Sequence, residues 1–389
     1  MKQRTREDWW KEGVAIGKDV DPENIANDVV IHPGCRVQGR KTSIASGCVL
    51  GAEAPAVIED CQLGRNVQLR GGYFSGATFF DRSGLGSGAH VRAGTILEEE
   101  AGGAHSVGLK QTVFLPFVTA GSLINFCDAL MAGGTSRKDH SEIGSSYVHF
   151  NFTPHQDKAT ASLVGDVPNG VFLDNHPVFL GGQGGLVGPV RVAYGTVVAA
   201  GGVCRRDISE PDQLHIPAPP REDTRPYETG VYGNVDRIVG NNLTYIGNVM
   251  ALREWYRHAR CRFVRDRFDQ AVLDGGISNL TLILDERVRR LGDLAVKMEY
   301  SVRRLLKTGG SAEAVATQQR FQSLWPDLET KFKSGVIEQD ISSRDVLVGA
   351  LGGDDYLACI KSLSPATREA GRAWLQSVAD GFDQIWRKQ

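Results

Sequence analysis

Residues 178–203 read V-F-L-G-G-Q-G-G-L-V-G-P-V-R-V-A-Y-G-T-V-V-A-A-G-G-V, which sets Leu180, Leu186, Val192 and Val198 six residues apart. Upstream, Ile31, Val37, Ile44, Leu50, Val57, Leu63 and Leu69 keep the same beat with two one-residue slips. One branched aliphatic per hexad, with glycine and small residues between, describes short strands joined by tight turns around a triangular coil. Each such unit buries its apolar side chain only against stacked neighbours, so the repeat predicts a parallel β-helix of hexapeptide type.

The rest of the composition fits an ordinary soluble chain. Of 389 residues, 41% are hydrophobic and 23% charged, with a formal net charge of -2, which gives no general case for nucleic acid as a partner. The 46 glycines follow from the repeat, whose turns need positions that tolerate positive φ. No apolar stretch approaches the roughly 20 residues that span a bilayer, and the start, M-K-Q-R-T-R-E-D-W-W, lacks the apolar core of a signal peptide. No membrane association and a cytoplasmic location are expected. Among seven cysteines, Cys35, Cys48 and Cys61 lie thirteen apart, each four residues after a hexad aliphatic, and read as small packing residues rather than redox or metal ligands.

Four segments are expected: a leader over 1–27 with a short helix bearing Trp9 and Trp10 that caps the coil; the β-helix over 28–206; a proline-rich extended connector over 207–240; and an α-helical domain over 241–389. The strongest helical signal carries Val288, Leu291, Ala295, Met298, Val302 and Leu305 at alternating spacings of three and four, with Arg289, Arg290, Arg303 and Arg304 on the wet side. Ser364-Pro365 opens a last helix, serine as cap and proline at the first helical position.

Between the hexads, the coil resembles the acetyltransferase domain of the bifunctional glucosamine-1-phosphate acetyltransferase/N-acetylglucosamine-1-phosphate uridyltransferase family. The resemblance is carried by residues 178–202, with further matches over 85–128 and 150–165. It implies a left-handed β-helix, a homotrimer with clefts between adjacent coils, acetyl-CoA as acyl donor and a sugar phosphate or nucleotide sugar as acceptor. V-R-A-G-T-I-L-E resembles the segment carrying a phosphate-binding arginine, here Arg92, and V-G-L-K-Q the segment carrying a second cation, here Lys110. F-N-F-T-P resembles an Asn-Tyr strand, so Asn151 takes the sugar- and acyl-contacting role, with Lys158 near a further family lysine. Gly182 and Ala200 would lie beside the pantetheine arm, where small residues permit close approach.

The departures bear on chemistry. Where the family carries histidine as general base in A-G-H-L-x-Y, this chain reads A-G-S-L-I-N, so Ser122 replaces the base and Asn125 the tyrosine. An unassisted serine hydroxyl does not take a proton at neutral pH. The family's second tyrosine is Phe152, and the nucleotidyltransferase half, with its G-x-R-M signature, is absent from the chain. The segment 128–151 is about six residues longer than in the family and supplies replacement bases. A strand over 147–152 that turns Val148, Phe150 and Phe152 to the core would turn His149 outward beside Asn151. His149 is therefore the first candidate, with His140, oriented by Asp139, as an alternative in a loop. A three-histidine zinc site does not fit, since His149 and His155 lack the H-x-x-x-x-H spacing.

One feature lies outside the coil: R-E-W-Y-R-H-A-R-C-R-F-V-R-D-R over 253–267 holds six arginines among aromatics. It suits phosphate capture, or else pairing with acidic coil loops such as Glu98-Glu99-Glu100. Three functions compete: a coenzyme A-dependent N-acyltransferase acting on a sugar phosphate or nucleotide sugar, a sugar-nucleotide binder without transfer chemistry, and an oligomeric scaffold whose helices bind a protein partner.

Overall fold

The computed structural model describes residues 3–335 and 339–387. The chain forms a left-handed parallel β-helix followed by a helical region. Its three faces follow from strand pairing. The front face stacks strands such as Arg36–Gln38, Ala56–Glu59, Gly72–Ser75 and Ala89–Val91. A second face stacks Ser43–Ile44, Gln62–Leu63, Ala77–Phe79 and Thr95–Leu97. The back face is a ten-stranded parallel sheet that includes Val30–Ile31, Gly102–Gly103, Thr119–Ala120 and Leu214–His215. Two eight-residue strands, Val107–Phe114 and Ile124–Met131, run unbroken from the front face onto the second. They bend where Gln111 and Asp128 adopt φ of 48° and 54°.

Paired strands reach past both expected coil boundaries, from Ala15–Ile16 to Leu214–His215. The helix α1, Arg6–Lys11, buries Trp9 and leaves Trp10 72% exposed, so a single indole covers the coil end. Ladders of side chains fill the lumen; on the front face these are Val37, Ile58, Phe74, Val91, Leu109 and Phe126, all buried. The hexad reading needs one correction here. Ile58, not Val57, pairs with Val37 and enters the lumen, because the turn after Leu50 absorbs extra residues. Cys35, Cys48 and Cys61 are buried, and burial pushes the Cys48 and Cys61 thiols up to about 12.

The second face is apolar on both sides. Ile96, Val113, Leu130 and Leu163 stack in register with outward side chains, and they join a second hydrophobic core shared with the helices. Besides α2, Val167–Gly170, the helices are α3, Asp236–His258; α4, Arg267–Thr308; α5, Ala312–Ser334; α6, Ile341–Ala350; α7, Tyr356–Ser362; and α8, Pro365–Arg387. α4 crosses the second face over Ser43–Ile44, Gln62–Leu63 and Ala77–Phe79, while α3 lies on Ser162–Val164 and against α8. Asn279 of α4 accepts from the Gly94 N–H (3.1 Å) and donates to Thr78 Oγ1 (3.0 Å). The helical region therefore closes the second coil face, with its packing concentrated there rather than on the front and back faces.

The arginine-rich segment resolves into ion pairs. Arg260 binds Glu99, with Glu98 within 3.8 Å; Arg265 binds Asp269; Arg257 binds Glu254; Arg267 reaches Glu23. Trp255 and Tyr256 are fully buried. Arg260 takes the expected pairing with the acidic coil loop, while Arg257, Arg265 and Arg267 find carboxylates elsewhere. No helix among the described residues is long and apolar enough to cross a membrane.

Candidate active site at the front face

Coil stacking converts residues far apart in sequence into columns about 4.8 Å apart from step to step. At the corner between the front and second faces, pairing of Val91 with Leu109 and of Lys110 with Cys127 sets Arg92, Lys110 and Cys127 in one column. Pairing of Asn125 with Val148 continues it to Phe150. Arg92 is exposed and Lys110 half-buried, and neither makes an ion pair among the described residues. Two unpaired cations one coil step apart repel each other and gain from a dianion between them. The Cys127 thiol lies beside both and donates to Asn125 Oδ1 at 3.4 Å; burial raises its pKa, with the neighbouring Asp128 adding to the rise.

A second column runs along the corner between the back and front faces. Register from Gly103 through Ala120, Ile143, Leu180 and Val198 places His105, Ser122, Ser145, Gly182 and Ala200 above one another. Backbone bonds confirm each step: Leu123 N to His105 O, Ser146 N to Ser122 O, Gln183 N to Ser145 O and Gly201 N to Gly182 O. Above Ser122 this column holds only serine, glycine and alanine, which leaves a shallow furrow along the coil axis. At Gly182 an added Cβ would meet the Ser145 carbonyl oxygen at 2.9 Å, so glycine is required there by contact with the coil below. At the lower end, Ser122 Oγ lies 3.0 Å from His105 Nδ1. His105 also borders a cavity of about 780 Å³ on the back face, floored by Gly84 and Gly102 and edged by Arg70, Arg82 and Arg137.

Between the columns, the front face presents Asn125, exposed, and Gly108, which carries no side chain. Strands Val107–Phe114 and Ile124–Met131 thus bring Arg92, Lys110, Asn125 and Ser122 around one shallow floor.

The other candidates fall elsewhere. Although the Asn151 side chain lies close enough to act on its titration, His149 does not turn outward. It pairs with Leu186, enters the lumen beside Phe126, is 3% exposed, and shares a 2.8 Å hydrogen bond between Nε2 and Ser162 Oγ. Phe150 and Phe152 are 40% and 69% exposed instead. Local hydrophobicity predicted the opposite parity; stacking on Phe126 fixes the register, and one hydrogen bond makes the buried imidazole tolerable. Desolvation holds His149 down at about 4, and burial shields it from solvent. His140 lies in a two-stranded hairpin, Gly134–Ser136 with Asp139–His140, its Nδ1 3.0 Å from Arg137 O. Asp139 accepts from Thr135 Oγ1 at 2.8 Å rather than orienting His140. Lys158 is exposed in an irregular segment, with φ of 56°.

Asn151 stands one coil step above Asp128. Its Nδ2 donates to Asp128 Oδ2 (2.9 Å) and its Oδ1 accepts from Thr160 Oγ1 (3.2 Å). Asp128 in turn accepts from Arg287 of α4 at 3.0 Å. The residue missed from sequence is His105. It lies seventeen residues before Ser122, close to one coil turn, and that spacing was the signal available.

Fold and columns define the chain as a hexapeptide-repeat β-helix protein. Its curated relatives include the bifunctional protein GlmU of Thermotoga petrophila, 27% identical over 216 residues, covering 54% of this chain and 43% of that protein. The GlmU of Trichlorobacter lovleyi is 28% identical over 230 residues, covering 57% and 45%. The chain spans less than half the length of these relatives. No protein-family model matches it. A solved UDP-N-acetylglucosamine acyltransferase from Campylobacter jejuni aligns over 79% of this chain and 94% of its own at 13% identity, with a TM-score of 0.29, too low to carry an argument.

Proposed function

We propose that the chain is a coenzyme A-dependent N-acyltransferase acting on a phosphorylated amino sugar, free or nucleotide-linked. The observation that carries this reading is the pair of columns on one floor: Arg92 and Lys110, unpaired and one coil step apart, opposite the small-residue furrow that rises from Ser122 past Gly182 to Ala200. The two cations hold phosphate, Asn125 and Gly108 underlie the sugar, Asn151 borders the cationic column, and Lys158 is carried only by the family likeness. An extended pantetheine arm, with acetyl-CoA as the donor, fits along the furrow, which climbs three coil steps, about 14 Å, from Ser122 to Ala200. A homotrimer in the cytoplasm belongs to the same proposal; the uncovered front and back faces leave room for neighbouring coils.

Binding without transfer is favoured by one observation, Ser122 at the family's base position. The helices offer less to a scaffold reading, since most of their apolar side chains lie in the core shared with the coil, with Val296, Leu306, Ile341 and Val346 as exposed exceptions.

The purified chain, mixed with acetyl-CoA and a panel of amino-sugar phosphates and nucleotide amino sugars, is expected to release free thiol only with acceptor. Lys110→Ala is expected to raise KM for the acceptor about tenfold or more with a smaller change in kcat, the loss of one charge-assisted contact worth about 1.5–3 kcal/mol. Saturable acceptor binding by calorimetry with no thiol release would establish the binding reading; neither binding nor release would remove both.

A further inference from the structure

We propose that His105, held by Ser122, supplies the proton acceptor whose family position the serine occupies. This rests on the acyl-transfer reading above. The contact is built by stacking: His105 and Ser122 occupy the same column position one coil apart, with Ser122 Oγ 3.0 Å from His105 Nδ1. The coil above fixes the serine as well, since its N–H donates to Ser145 Oγ at 3.2 Å. When Ser122 Oγ accepts the Nδ1 proton, the imidazole lone pair stands at Nε2, the tautomer a base requires. A neutral imidazole alone favours neither the right orientation nor the right tautomer; the hydroxyl one step up supplies both.

Position supports the role. His105 is exposed at the corner where the front face meets the back cavity, whereas His149 is sealed in the lumen. Five residues separate His105 from Lys110, at most about 16 Å, since the chain bends at Ser106 before the strand begins. With both side chains extended over Gly108, a gap of several ångströms would remain between them, the span between the amine and the phosphate of a hexosamine phosphate.

The step balances. The substrate amine nitrogen attacks the thioester carbonyl, the N–C bond forms and the C–S bond breaks. The amine proton passes to His105 Nε2 and from there to the departing thiolate, giving amide and free thiol. Ser122 keeps its own proton throughout and forms no bond to the acyl group, so it is a positioning residue and His105 the catalytic one.

The test uses the full chain with the best acceptor of the panel. H105Q is expected to lower kcat about 10²–10³-fold with KM within about threefold, and to abolish the acid limb of the pH–rate profile. Added imidazole is expected to restore part of the rate in H105G. S122A is expected to cost about tenfold, and H105Q/S122H to recover activity by returning a base to the family position. In ¹⁵N-histidine-labelled protein, the His105 signal, assigned by its loss in H105Q, is expected as the Nδ1–H tautomer and to shift toward Nε2–H in S122A. If H105Q keeps more than about a third of the wild-type rate, the catalytic role falls while acyl transfer stands. A wild-type Nε2–H tautomer would overturn the part given to Ser122. If wild-type protein transfers to no acceptor, the acyl-transfer reading itself fails and this role goes with it.

Discussion

Replacing Arg287 by alanine is expected to lower stability by about 3–5 kcal/mol, because it strands a buried carboxylate. Arg287 projects from α4 into the corner of the coil and is 2% exposed. Its Nη2 donates to Gln111 Oε1 at 2.7 Å and to Asp128 Oδ1 at 3.0 Å, the two residues where the long strands bend. Asp128 is itself buried and also accepts from Asn151. Removing the guanidinium leaves Asp128 with one neutral donor in a site without solvent. The double variant R287M/D128N is expected to recover much of the loss, since two groups of similar volume and no net charge carry no unpaired ion. Denaturant midpoints at unchanged slope measure both. The same variants report on the site: freeing Asp128 loosens Asn151, so acceptor or donor KM is expected to rise in R287A at temperatures where the protein remains folded. A single variant no less stable than the double would show that the ion pair is incidental to the joint between coil and helices.

Replacing Arg260 by alanine is expected to have an effect of similar size, with a pH dependence that identifies its cause. Arg260 lies in the second core, its guanidinium 4.1 Å from the Phe80 ring centre and 4.0 Å from that of Tyr356. It faces two buried carboxyls: it bonds Glu99, and Glu98 Oε2 is 3.8 Å from its Nη1. Tyr256 donates to Glu98 Oε1 at 2.6 Å. One arginine balances one carboxylate, and burial raises Glu98 from 4.5 to about 7, with the negative Glu99 adding to the rise. Glu99 is raised as well, again chiefly by burial. A carboxyl whose folded pKa lies above its unfolded value binds more protons folded than unfolded between the two. The Glu98–Glu99 pair is therefore expected to contribute stability that is lost as pH rises from about 4.5 to about 7, against the opposite contribution of His149, held down at about 4, so the pair's share is read as the difference between wild type and E98Q. E98Q is expected to flatten this slope. Arg260→Ala is expected to cost about 3–5 kcal/mol at pH 8, where the unfolded carboxylates are ionised, and less at pH 5, where protons neutralise the buried pair. A loss independent of pH would mean that Arg260 acts through its stacking on Phe80 and Tyr356 alone.

Two signals in the sequence were stronger than the reading made of them. Ile96-Leu97, Val113-Phe114, Leu130-Met131 and Leu163-Val164 are adjacent apolar pairs without alternation, the mark of strands buried on both sides. They announce that one coil face is covered, and α3 and α4 cover it. The seventeen-residue step from His105 to Ser122 matches one coil turn and announces their contact.

The sequence by itself determined the coil, since a six-residue apolar beat with glycine between has no other way to bury its aliphatics. It determined the helical region through its 3.6-residue stripe and caps, and it brought Arg92 and Lys110 forward as neighbours through their likeness to a known pattern. Only the tertiary structure decided parity and pairing. Whether His149 points in or out depends on the register of its strand against Phe126 and Leu186, a property of three coils together that the apolar neighbours Val148 and Phe150 misreport. Whether Arg260 meets a ligand or Glu98 and Glu99 depends on where α3 lands on the coil, which is set by the shared core. Alternation is local and can be read along the chain; register and docking come from contacts between distant segments, whose energies no single stretch of sequence contains.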